Sequence, residues 1–99
     1  MPNQPKLIWT PGAVEDLSRL RDFIQPHNPK AAMNAARRII EAANMLLDHP
    51  HLGHPMEDLP EFNELPIPFG QRGYALRYRI EGEKIIILRI WHGREDRSI

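Results

Sequence analysis

Cysteine is absent from this chain of 99 residues, which excludes both a disulfide framework and a thiolate metal centre. Long apolar runs are missing too. The longest, Ile85–Leu88, falls far short of the ~20 residues a membrane span needs. The opening Met-Pro-Asn-Gln-Pro-Lys lacks the apolar stretch of a secretion signal. Together these absences lead to the expectation of a cytoplasmic protein with no membrane partner. Net charge is missing as well, at +0, so overall charge predicts no nonspecific nucleic-acid binder. That zero conceals segregation: residues 1–40 balance to +3, residues 41–71 to −6 with no Lys or Arg, and residues 72–99 to +3. No repeat, low-complexity tract or linker divides the chain, so residues 1–99 are expected to form a single domain. A domain of that length buries roughly 60–70% of its unfolded-chain surface.

What is present is ordered by capping signals. Lys6–Thr10 reads as a short strand carrying Leu7, Ile8 and Trp9. Thr10-Pro11 then opens a helix, with threonine as N-cap and proline in the first turn, where its missing N–H costs nothing. Ala13, Leu17, Leu20 and Ile24 form its apolar stripe, and Pro26 ends it. Glu15 and Asp16 sit near its positive end, Arg19 and Arg21 nearer its negative end. Asn28-Pro29 repeats the signal for a longer, alanine-rich helix running to about Asp48, where His49-Pro50 stops it. So short a connection predicts a helical hairpin. An acidic loop over 49–62 follows, then three strands.

The register of those strands follows from the apolar pattern. With Phe69 opposite Tyr74 and Ile80 opposite Lys84, the residues Leu65, Ile67, Phe69, Tyr74, Leu76, Tyr78, Ile86, Leu88 and Ile90 share one face. A two-residue Gly82-Glu83 turn would instead set Arg77 and Arg79 beside Ile86 and Leu88, and is disfavoured on that ground. The other face then presents Arg77, Arg79, Ile85, Ile87, Arg89 and Trp91, unusually apolar for an exposed surface. Pro66 and Pro68 place the first of the three strands at a sheet edge. The expected fold is α+β, in the order β-α-α-β-β-β, with a helical hairpin packed on one face of a small antiparallel sheet.

Several stretches in this order resemble the RelE/ParE superfamily of toxins from bacterial type II toxin–antitoxin systems. They are Trp9-Thr10-Pro11 with Ala13 and Asp16-Leu17, Phe23-Ile24 with Asn28-Pro29 and Ala31-Ala32, Leu46-Leu47 with His49-Pro50 and Gly53, and Tyr78-Arg79-Ile80 leading to Leu88, Ile90 and His92-Gly93-Arg94. The ending His92-Gly93-Arg94 looks more like the ParE branch than the RelE branch. The resemblance implies a RelE/ParE-like fold and a toxin that inhibits DNA gyrase by binding, with a cognate antitoxin as partner, no catalytic residues of its own and no cofactor.

The alternative implied by the same resemblance is a RelE-like ribosome-dependent mRNA endonuclease, with the ribosome and mRNA as partners. Such chemistry needs a base for the ribose 2′-OH, cations for the charged phosphorane and an acid for the leaving oxygen. Arg77 or Arg79 would supply the cation and His92 the acid or base. The tyrosine often found near that C-terminal end is missing, and residues 41–71 contain no lysine. Both departures favour a structural His92. The surface expected to bind target or antitoxin therefore comprises Arg77, Arg79, Ile85, Ile87, Arg89 and Trp91, together with Arg94 and Arg97 beyond the last strand. His49, His51 and His54 near Glu57 and Asp58 lie on a proline-broken loop that does not converge them, so no metal is expected.

Overall fold

Thr10 begins the fold where the sequence places it. Its side chain accepts from the Ala13 amide at 3.2 Å, and Pro11 opens helix α1 (Pro11–Ile24). Asn28 does the same for α2 (Pro29–Asp48), accepting from the Ala31 amide at 3.0 Å. The computed structural model describes residues 5–93. Within them the remaining elements are the strands β1 (Lys6–Trp9), β2 (His54–Pro55), β3 (Asn63–Ile67), β4 (Tyr74–Glu81) and β5 (Lys84–His92). They form one sheet in the order β1-β5-β4-β3-β2. Both helices pack on one face of it, α1 chiefly over β5.

Two features depart from the expected sheet. It is mixed, because β1 pairs with β5 in parallel, Leu7 beside Ile85 and Trp9 beside Ile87. It also gains a fifth strand, the two-residue β2, against Asn63 and Glu64 of β3. The outer edge of β3 is thus covered only at its start, and Pro66, which has no N–H to donate, lies beyond that cover.

The β4–β5 register is a correction. The two-residue Gly82-Glu83 turn is the one that forms: Glu81 pairs with Lys84 and Ile80 with Ile85, so Ile80 does not face Lys84. Within this turn Gly82 has positive φ, at 61°, and Glu83 does not, as a type II′ turn requires. Ile85 and Ile87 consequently lie in the core, at 3% and 0% exposure, rather than on the open face. Trp91 keeps its expected face but is 4% exposed, so no exposed trio of Ile85, Ile87 and Trp91 exists. The expected register assumed an unbroken ladder. A β-bulge breaks it: Tyr78 opposes Ile87 while Arg77 opposes Arg89, leaving Leu88 as the extra residue. The bulge reverses the alternation midway, so Ile85 and Ile87 before it and Ile90 after it all face the helices.

On that inner face the core is built from Leu65, Ile67, Leu76, Tyr78, Ile87 and Ile90 against Ile39 and Leu46 of α2 and Ala13 and Leu20 of α1. The alanines of α2 at 32, 35, 42 and 43 are all buried, as close backbone approach demands. Tyr78, at 0% exposure, uses its hydroxyl to hold the loop after α2, donating to Pro50 O at 2.8 Å and accepting from Gly53 N at 3.0 Å. Burial pushes this phenol above its ordinary pKa, against a smaller opposing pull from the Gly53 amide, so it remains a donor.

Gly53 leaves no room for a side chain. An added Cβ would lie 2.6 Å from Glu64 O and 2.8 Å from the Tyr78 hydroxyl. Gly53→Ala is therefore expected to cost about 1–3 kcal/mol and lower Tm by roughly 5–20 °C in a thermal melt. An unchanged Tm would mean that this loop moves aside freely.

Candidate functional site

Backbone pairing sets four polar residues in one row across the open face of the sheet. His54 pairs with Glu64, Glu64 with Arg77 and Arg77 with Arg89. Directly opposed residues share a face, so the row presents imidazole, carboxylate and two guanidiniums side by side. Placing Arg77 beside Arg89 is unfavourable by itself. Trp91 offsets this, with the Arg77 guanidinium 4.6 Å and the Arg89 guanidinium 5.3 Å from its ring centroid. Each arginine also meets a carboxylate on its outer side. Arg77 lies 3.9 Å from Glu64, and Arg89 Nε donates to Asp16 Oδ2 at 2.7 Å.

Asp16 closes the row from α1. Past Trp9, β1 no longer covers the edge of β5, and the start of α1 takes over. The Thr10 amide and hydroxyl donate to Ile87 O at 3.2 and 2.8 Å. Asp16 Oδ2 accepts from the Ile90 amide at 2.8 Å, while Arg19 donates both to Asp16 Oδ1 at 3.2 Å and to Ile90 O at 3.4 Å. Side chains thus replace the strand that the edge lacks. Burial alone would raise the Asp16 pKa. The hydrogen bonds from Arg89, Ile90 and Arg19 outweigh it and hold the carboxyl below its usual range.

Beside Arg77 the surface dips into a depression of about 610 Å³ walled by His54, Pro55, Met56, Glu57, Asp58 and Glu64. Arg77 is 6% exposed, and its Nε has no hydrogen-bond partner. Arg79 belongs to the hairpin tip instead, paired with Glu81, whose carboxyl its hydrogen bond and charge hold below the usual range. All three sheet arginines are thereby matched with carboxylates, and the face is less positive than its sequence suggests.

His92 does not join this row. It pairs with Tyr74 on the helix-facing side, the two rings edge to face with centroids 5.5 Å apart. It borders a separate groove of about 650 Å³ between α1 and the β3–β4 loop. The structure thus brings together Arg77, Arg89 and Trp91. It sends Arg79 to the turn, His92 to the other face, and Ile85 and Ile87 to the core. Arg94 and Arg97 lie outside the described residues.

Two residues of the site were not singled out from sequence in these roles, Asp16 as its anchor and Phe23 in the groove. The signal for Asp16 was its place on the α1 stripe, three residues after Ala13 and four before Leu20, where a carboxylate must find partners. Among the described residues no three of His, Asp and Glu are grouped to hold a metal, and no helix is long and apolar enough to cross a membrane.

Two helices packed on one face of a five-stranded mixed sheet match the RelE/ParE-like α+β fold. The chromosomal ParDE toxin–antitoxin system from P. aeruginosa contains a chain that superposes with a TM-score of 0.76 at 27% identity, over 90% of this chain and 96% of that one. The RelBE2 toxin–antitoxin complex from Mycobacterium tuberculosis matches with a TM-score of 0.63 at 25% identity, over 91% and 99%. Toxin RelE1 of Caulobacter vibrioides is 35% identical over 85 residues, 86% of this chain and 89% of its own. Toxin RelE3 of the same organism is 36% identical over 87 residues, 88% and 92%. The family model for the ParE toxin of the type II toxin–antitoxin system parDE matches residues 7–97. The chain belongs to that family.

Proposed function

We propose that this toxin acts as a binding poison of DNA gyrase and is held inactive by a cognate antitoxin. The observation that carries this reading is the separation of the nuclease candidates. His92 lies on the helix-facing side of the sheet, whereas Arg77 and Arg79 point to the other and are matched with Glu64 and Glu81. Cleavage of RNA needs an acid or base within hydrogen-bond reach of the reacting phosphate and uncompensated cations around it. The ParE family match over residues 7–97 supports the same direction.

The relatives named RelE keep the mRNA endonuclease as the second reading, with Arg77, Arg79 and His92 as its residues. A gyrase assay with relaxed plasmid and ATP separates the two. The expected result is loss of supercoiling with accumulation of linear DNA, reversed by the antitoxin and unaffected by His92→Ala. Normal supercoiling by a folded sample, together with ribosome-dependent cleavage of mRNA that His92→Ala abolishes, would replace this reading with the endonuclease.

A further inference from the structure

Arg77 is a nearly buried guanidinium with an unfilled hydrogen-bonding position. Its side chain is 7% exposed, Glu64 balances its charge from 3.9 Å, and its Nε has no hydrogen-bond partner. A buried donor without an acceptor is costly, so one that a fold retains calls for an acceptor brought from outside. Arg77 lines the depression of about 610 Å³ beside β2, and Glu57 and Asp58 belong to the same lining. Both carboxylates are exposed, as is Glu61 farther along the loop. None of these three is ion-paired among the described residues, and residues 49–71 contain no Lys or Arg to neutralise them. The depression therefore lacks an acceptor on its buried side and a cation on its exposed side.

We propose that this depression docks a Lys- or Arg-bearing loop of gyrase, with a carbonyl or carboxamide oxygen of that loop on Arg77 and its cationic side chain on Glu57 and Asp58. The inference rests on the gyrase-binding reading of the preceding subsection and adds the place of contact and the chemistry of the target's side. An enzyme that works on DNA presents lysines and arginines to the phosphates, so its surface there is basic. An exposed acidic loop free of Lys and Arg is the complement that such a surface selects. Nucleic acid itself is turned away, because its phosphates would meet Glu57, Asp58 and Glu64. A bare metal ion would leave Arg77 without an acceptor, and among the described residues no three of His, Asp and Glu are grouped to hold one. A basic peptide brings both missing groups at once, since each of its residues carries a carbonyl.

The test uses the full-length toxin in the gyrase assay above and reads the toxin concentration that halves supercoiling. Glu57→Lys combined with Asp58→Lys reverses the exposed wall, and Arg77→Lys keeps the charge while removing Nε. Glu15→Lys combined with Glu41→Lys, at exposed positions on α1 and α2, makes the same change in net charge elsewhere and is the control. The Glu57 and Asp58 double variant and Arg77→Lys are each expected to need about tenfold more toxin, with the control within about twofold of wild type. Antitoxin affinity by calorimetry and circular dichroism spectra should be unchanged throughout. If Arg77→Lys fails to fold, the exposed double variant decides alone. Wild-type potency in the double variant or in folded Arg77→Lys would overturn the proposal, as would an equal loss in the control. It would also fall if the double variant lost antitoxin affinity while still inhibiting gyrase, which would give the depression to the antitoxin. A folded wild-type toxin with no effect on gyrase would overturn the binding-poison reading itself, and this contact with it.

Discussion

Ile87→Ala is expected to cost about 2–5 kcal/mol, a large share of the roughly 5–15 kcal/mol that holds a domain of this size together. Ile87 has no exposed surface and sits between Trp9 of β1 and Tyr78 of β4. Its carbonyl also receives the Thr10 amide and hydroxyl, so the strand beneath it cannot collapse into the space left behind. Ile86, one residue earlier, lies on the other face between Ile8 and Arg79 and is only partly buried. Ile86→Ala should cost at most about half as much, since the freed space opens toward solvent. Urea denaturation of the two variants reads the register directly. Equal costs, or the larger cost at Ile86, would contradict the Gly82-Glu83 turn and the bulge at Leu88.

Asp16→Ala is the second large effect, expected at about 2–4 kcal/mol. The loss removes charge-assisted hydrogen bonds and leaves the Ile90 amide buried without an acceptor. The Arg89 and Arg19 side chains are 47% and 45% exposed and can turn to water, which keeps the cost below that of a fully buried pair. Asp16→Asn retains an acceptor for Ile90 and should cost roughly half as much. Because the folded-state pKa of Asp16 lies below its unfolded value near 3.8, its contribution is complete above that value. It is lost as pH falls through the folded pKa. The wild-type protein should therefore lose more stability between about pH 5 and pH 2 than Asp16→Ala does. Identical acid profiles would show that the carboxylate does not couple α1 to β5.

These expectations bear on function because Asp16 and Trp91 both hold Arg89, which sits beside Arg77 on the open face. Removing Asp16 takes one partner from Arg89 on the open face and also one from Arg19, which lines the groove beside His92.

Much of the fold was legible in the chain because its signals are local. The Thr10-Pro11 and Asn28-Pro29 caps set both helix starts within a residue, and the stripe at Ala13, Leu17, Leu20 and Ile24 named the face that α1 turns inward. The family resemblance likewise rested on short stretches spread in order along the chain. Pairings between distant segments were not legible. Whether β1 runs parallel to β5, and whether residues 54 and 55 add a strand, depends on contacts between segments that local pattern does not encode. The face of Ile85 and Ile87 was decided by one unpaired residue, Leu88, since a bulge exchanges inside and outside for everything on one side of it. The site divides in the same way. By itself, the sequence determined which charged and aromatic residues lie on the hairpin. Only the tertiary structure decided that Asp16, 73 residues before Arg89, anchors that row, and that His92 stands with Phe23 and Tyr74 on the opposite face. Hydrogen bonds and packing act through space, and alternation along a strand carries no information once the ladder is broken.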